Sequence, residues 1–102
     1  MNFEWDENKN NQNLEKHGLD FDLAKEVFAD KYALVKINRI SNGEVREQII
    51  GHVCENVVIL FVVFTRRTNV FRLISARQAK RKERVIYEEI KRRTIAISSE
   101  NE

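Results

Sequence analysis

The chain has no proline, only three glycines, one cysteine, one tryptophan and two tyrosines in 102 residues. So little glycine, with no proline, excludes collagen-like and linker-rich chains. The single cysteine, Cys54, excludes an internal disulfide framework and reads as a small hydrophobe in a strand-like stretch. Two histidines, His17 and His52, and that one cysteine show no short metal-ligand spacing, so no metal and no cofactor is expected. The longest apolar run, Val57 to Phe64, is eight residues, too short to span a bilayer. Met1–Asp6 lacks the basic start and apolar stretch of a signal peptide. A reducing cytoplasmic location with no membrane partner is therefore expected. No phosphate-binding loop, dinucleotide glycine pattern or serine nucleophile elbow is present.

What is present is charge, unevenly spread. The composition is 42% hydrophobic and 33% charged, as expected of one soluble globular domain. The formal net charge is only +2, yet residues 1–30 carry a net −5 and residues 66–93 a net +8. An acidic front and a strongly basic back point to a polyanionic partner for the basic part.

The order of local signals predicts an α+β domain over residues 1–93 with a polar, frayed tail over 94–102. Asp6 caps a first helix, Glu7 to His17, which Gly18 stops after a basic last turn. Asp20 caps a second, about Phe21 to Ala29, with Phe21, Ala24 and Phe28 on one face. Four strands follow, Tyr32–Ile40, Val45–Val53, Val57–Phe64 and Val70–Ala76. The turns between them fall at Ser41-Asn42-Gly43, Cys54-Glu55-Asn56 and Arg66-Arg67-Thr68-Asn69. Consecutive hairpins predict an antiparallel meander. A third helix is expected from Gln78 to Arg93, with Ala79, Ile86 and Ile90 on its buried face. His52 is expected on the strand surface opposite Ile49, Gly51 and Val53.

The strongest local feature joins the last strand to the third helix. Arg77, Lys80, Arg81 and Arg84 are spaced i, i+3, i+4, i+7, which lines one helical stripe if Arg77 is already helical. Like charges so aligned repel, and a phosphate backbone is the natural compensation; a plain solvated basic face is the bland alternative. Arg66 and Arg67 sit at one end of the last hairpin and Arg77 at the other, with Arg72 midway. A basic track of that kind suits a single-stranded polyanion. His17 reads as a helix cap and Trp5 as an anchor for the N-terminal segment.

These residues also carry a family resemblance. The opening Phe3-Glu4-Trp5-Asp6, Lys9, Asn13-Leu14, Lys16-His17-Gly18 and Phe21 resembles the start of the BrnT family of bacterial toxins. The match continues in Ala24, Val27-Phe28 and Asp30, then Ile50-Gly51, Thr65 and Arg67. It runs on through Arg72, Ile74-Ser75-Ala76-Arg77, Ala79, Glu83 and Tyr87-Glu88. The resemblance implies a RelE-like fold and a metal-independent ribonuclease that cleaves RNA and inhibits translation. It implies a type II toxin–antitoxin pair, neutralised by a BrnA-type ribbon-helix-helix antitoxin, with operator DNA reached only through the complex. In such an enzyme Arg77, Arg81 and Arg66 or Arg67 would stabilise the scissile phosphate, with Lys82 assisting. Arg72, Lys80 and Arg84 would bind flanking RNA. Arginine is a poor base, so proton transfer would fall to His17, Glu83 or Tyr87. The competing reading is a non-catalytic basic module that docks nucleic acid or an acidic protein.

Overall fold

The computed structural model describes residues 1–55 and 57–100. Helix α1 spans Glu7–His17, between the two signals that bound it. The Asp6 carboxylate accepts from the backbone N–H groups of Asn8 at 2.8 Å and Lys9 at 3.2 Å. Gly18 closes the helix at φ 70°, where a side chain would be strained. Asp20 caps α2 by accepting from the Leu23 N–H at 2.8 Å. However, α2 covers only Phe21–Ala24 before tightening to a 3₁₀ turn over Lys25–Ala29. The expected single second helix is thus divided.

Five strands form one sheet in the order β1-β5-β4-β3-β2. They are β1 (Asn2–Glu4), β2 (Leu34–Ser41), β3 (Glu44–Val53), β4 (Val58–Arg67) and β5 (Val70–Gln78). The antiparallel meander is there in β2 to β5. The sheet is nevertheless mixed, because β1 adds parallel to β5 with Phe3 beside Phe71. Asn42 (φ 51°) and Gly43 (φ 78°) make the two-residue turn that Asn-Gly favours. The last turn is shorter than expected: Arg66 and Arg67 finish β4, and only Thr68 and Asn69 turn. Cys54 and Glu55 both take positive φ in the β3–β4 turn, whose third expected residue, Asn56, lies outside the described residues.

One face of the sheet carries the core. Ile49 and Val53 of β3, Leu60, Val62 and Phe64 of β4, and Leu73 and Ala76 of β5 are buried against Phe21, Ala24 and Val27. Phe28 stacks on Phe71 at 5.1 Å and meets Phe64 edge-on at 4.9 Å. Gly51 permits the close approach of the 3₁₀ turn: a Cβ there would lie 2.7 Å from Val27 Cγ2 and 2.9 Å from Asp30 Oδ2. Helix α1 is tied to the β5 edge by a polar residue. The buried Asn13 amide donates to the Ala76 carbonyl at 2.8 Å and accepts from the Ala76 N–H at 3.0 Å, as a neighbouring strand would. It also donates to the Leu19 carbonyl at 2.9 Å.

Helix α3 spans Arg81–Glu100. It begins later than expected because β5 runs on through Gln78, and the Ala79 N–H continues the ladder to the Ile59 carbonyl at 2.9 Å. Arg77 is therefore a strand residue, and the four-residue helical stripe does not form. The helix also continues through the stretch expected to fray; residues 101 and 102 lie outside the described ones. Its buried side chain is Tyr87, 1% exposed, whereas Ile86 (55%) and Ile90 (41%) are not the buried face that their spacing suggested. Only the first turns of α3 lie over the sheet. The helix is about 30 Å long at 1.5 Å per residue, and the molecule measures 46 Å along its longest axis against 28 and 24 Å.

Candidate functional site

The face of the sheet opposite the core is the candidate site. Strand register places its residues in rows. Arg72, Thr65 and Arg46 stand side by side across β5, β4 and β3. Next come Ser75, Val63 and Gln48, continued by Lys36 of β2, and then Arg77, Phe61, Ile50 and Leu34. Ile59 and His52 form the last row. A β-bulge creates this order. Val63 pairs with Ser75 but Phe64 with Leu73, leaving Ile74 as an extra residue. Without it Arg72 and Arg77 would point to opposite faces; with it both reach the same one.

Helix α3 covers the last two rows. Arg77 lies over the Phe61 ring, its guanidinium carbon 4.0 Å from the centroid. It makes a two-pronged ion pair with Glu83 at 2.8 and 2.9 Å and a third bond to the Gln78 carbonyl at 3.2 Å. Glu83 also accepts from the Lys80 backbone N–H at 2.7 Å, the return half of a capping box. The Arg77 bond, outweighing burial, holds the Glu83 carboxyl below the usual carboxylate range. Three of the five guanidinium N–H groups are thus used, and two are left for a ligand. Arg81, Lys82 and Lys80 stand exposed beside it. Arg84 is turned back to the Ala79 carbonyl at 2.9 Å.

Arg66 and Arg67 do not join this group. Strand geometry puts Arg66 about 17 Å along β4 from the Arg77 row. It points to the core side, bonded to Glu47 at 2.6 Å and set over the Phe71 ring at 5.2 Å. Arg67 is on the open face, paired with Glu44 at 3.0 Å. Arg72 is 3.5 Å from Glu4. His17 lies beyond the β5 edge, in a groove of about 240 Å³ shared with Lys9, Lys16 and Ser75.

A second polar cluster sits under α3. Tyr87 donates its hydroxyl proton to Asp30 Oδ2 at 2.5 Å. His52 Nδ1 lies 2.8 Å from the Tyr87 oxygen and 3.0 Å from Asp30 Oδ2. With the tyrosine proton spent on the carboxylate, Nδ1 is placed to donate to both oxygens. Asp30 further accepts from the backbone N–H groups of His52 and Tyr32, each at 2.9 Å. Burial pushes its carboxyl up, but the Tyr87 and backbone bonds and the nearby imidazole outweigh it and hold it below its ordinary value. Burial and the Asp30 charge drive the Tyr87 hydroxyl well above its own. His52 is on the expected face but is half-buried and bonded rather than a free surface residue. Sequence spacing gave no sign of this cluster, because Asp30, His52 and Tyr87 meet only in the fold.

The arrangement is thus a half-covered sheet face with a clamped arginine and exposed cations at a helix start. The family model described as ribonuclease toxin, BrnT, of type II toxin–antitoxin system matches residues 5–83. The chain belongs to the BrnT toxin family. No curated protein gives a match. The matched span includes α1, the whole sheet from β2 to β5 and the first residues of α3, and so the entire open face. A BrnT-family chain belongs to a toxin–antitoxin pair, which implies an antitoxin partner, and its family activity is that of a ribonuclease. Among the described residues no helix is long and apolar enough to cross a membrane, and no three His, Cys, Asp or Glu side chains gather as a metal site.

Proposed function

We propose that this chain is itself an active, metal-independent, RelE-like ribonuclease that cuts RNA in the cytoplasm and so inhibits translation. The observation that carries the reading is Arg77, set over the Phe61 ring and clamped by Glu83 with two N–H groups to spare, next to the exposed Arg81 and Lys82. RNA brings its own nucleophile, the 2′-hydroxyl. Its oxygen bonds to phosphorus while the bond to the 5′-oxygen breaks; one proton leaves the 2′-oxygen and one reaches the 5′-oxygen, giving a cyclic phosphate and a 5′-hydroxyl. Arg77 and Arg81 stabilise the charge that develops on the phosphorane, with Lys82 assisting, because a guanidinium stays charged and offers paired donors. Arg72, Lys80 and Arg84, with Arg67 farther along β4, hold flanking phosphates. Of the acid/base candidates, Glu83 is engaged by Arg77 and Tyr87 by Asp30, which favours His17 in its basic groove beside Ser75.

The partner in this reading is a BrnA-type ribbon-helix-helix antitoxin, through which the pair binds operator DNA. Val85, Ile86, Ile90, Ile95 and Ile97 leave an exposed apolar series along the basic α3, which supports a protein partner there. The test is cleavage of end-labelled RNA in EDTA. The parent is expected to cut, and Arg77→Ala/Arg81→Ala to lose roughly 10²-fold or more, the scale of removing transition-state donors. Equal cutting by a folded double variant overturns the site. Salt-sensitive binding with no cutting by the parent supports the rival reading, a non-catalytic basic module.

A further inference from the structure

Among the described residues, three buried side-chain polar atoms have no hydrogen-bond partner: Arg46 Nε, Gln48 Oε1 and Thr65 Oγ1. They are not scattered. All three lie on the open face, in its first two rows. Arg46 is directly opposite Thr65, and Thr65 directly opposite Arg72. Thr65 is 2% exposed, so solvent does not satisfy its hydroxyl. A buried polar group without a partner is costly, so a row of them is more readily explained by a role in binding than by packing. The neighbouring arginines are held more closely: Arg66, Arg67 and Arg77 each have a carboxylate within 3.0 Å, whereas the Glu4 carboxylate stands 3.5 Å from Arg72.

We propose that Arg46, Thr65 and Arg72 form a subsite for a backbone phosphate of single-stranded RNA. This rests on the ribonuclease reading only for the choice of polymer. Adjacent strands are about 4.8 Å apart, so the two arginine Cα atoms flank the threonine across about 10 Å, which long side chains close around one anion. Two guanidiniums supply donors only, the hydroxyl can add a third, and phosphate oxygens supply acceptors only. The row lies about 13 Å along the sheet from the Arg77 row. A strand of regularly spaced phosphates can engage both rows, whereas a single acidic side chain cannot. Lys36 at one side and Lys9 and Lys16 at the other extend the positive surface across the strands.

The test uses the full chain and a fluorescently labelled 2′-O-methyl RNA oligonucleotide, which binds but cannot be cut. Binding is measured by anisotropy over a range of salt. Arg46→Gln and Arg72→Gln are each expected to weaken binding about tenfold and to lower the salt slope by about 0.7, one single-strand phosphate contact. Thr65→Val is expected to weaken binding while leaving the slope unchanged and the melting temperature equal or higher, since it removes an unsatisfied hydroxyl. A merely structural threonine would instead lose stability. Arg92→Gln, a charge on the far part of α3, is the control and should bind as the parent does. Parent-like binding by the three face variants overturns the subsite, as does equal weakening by Arg92→Gln. Stronger competition by polyglutamate than by unlabelled RNA overturns it in favour of an acidic protein. Cleavage is read separately. A parent that binds through these residues without cutting leaves the subsite standing and removes the ribonuclease reading; a parent that cuts while the variants bind normally does the reverse.

Discussion

Val63 and Phe64 are neighbours on β4 and live in different molecules, so to speak: one faces the rows of arginine, threonine and glutamine, the other the aromatic cluster. Phe64 is enclosed by Phe28, Phe71 and buried aliphatics. Val63 stands between Ser75 and Gln48, on a face that α3 only half covers. The difference teaches how a domain of this size divides its labour. The packed face supplies the stability, and the open face tolerates unpaired polar atoms and clustered cations because the packed one holds the sheet in shape.

The sharpest test of that division removes one side chain from each face. Phe64→Ala should cost about 3–5 kcal/mol in urea denaturation, whereas Val63→Ala should cost under about 1 kcal/mol. A comparable loss at Val63 would break the comparison. A somewhat smaller effect is expected at the join between the faces. Asn13→Ala strips both backbone bonds from Ala76 and should cost about 2–4 kcal/mol, with faster amide exchange at Ala76 as its local mark.

The smallest effect is acid sensitivity. Asp30 and Glu83 both titrate lower in the folded chain than their ordinary values of 3.8 and 4.5. The unfolded chain therefore binds more protons in acid. The stability these groups contribute is fully present above those values and lost as pH falls below them. Melting temperature followed through the acid range should drop in the parent and fall less steeply in Asp30→Asn. An unchanged slope would mean that the Asp30–Tyr87–His52 cluster adds nothing to folding.

Local chemistry made much of this fold legible. Asp6, Gly18 and Asp20 mark their helix ends through bonds to residues two to four positions away, and Asn42-Gly43 marks its hairpin through backbone angles alone. What was hidden depends on distant partners. β1 is three residues long and pairs with a strand some seventy positions later, so no alternation could reveal it. The Ile74 bulge leaves no local trace, and missing it makes the faces of Arg72 and Arg77 unreadable. Ile86 and Ile90 have core spacing, yet both stay largely exposed. The basic cluster at residues 77–84 was visible as composition. The orphaned row was not, because Arg46 and Thr65 are ordinary strand residues until the register sets them opposite each other.

The Asn13 amide has one more effect, on how the molecule meets other copies of itself. A sheet offers two outer edges for further strands. Here the β5 edge is occupied by β1 at one end and by the Asn13 side chain at the other, so the outer edges are the eight-residue β2 and the three-residue β1. Edge-to-edge growth from β2 would join two copies and then meet only that short second edge on either. One asparagine on a helix thus helps set the difference between a pairing that stops at two and one that runs on into a fibre.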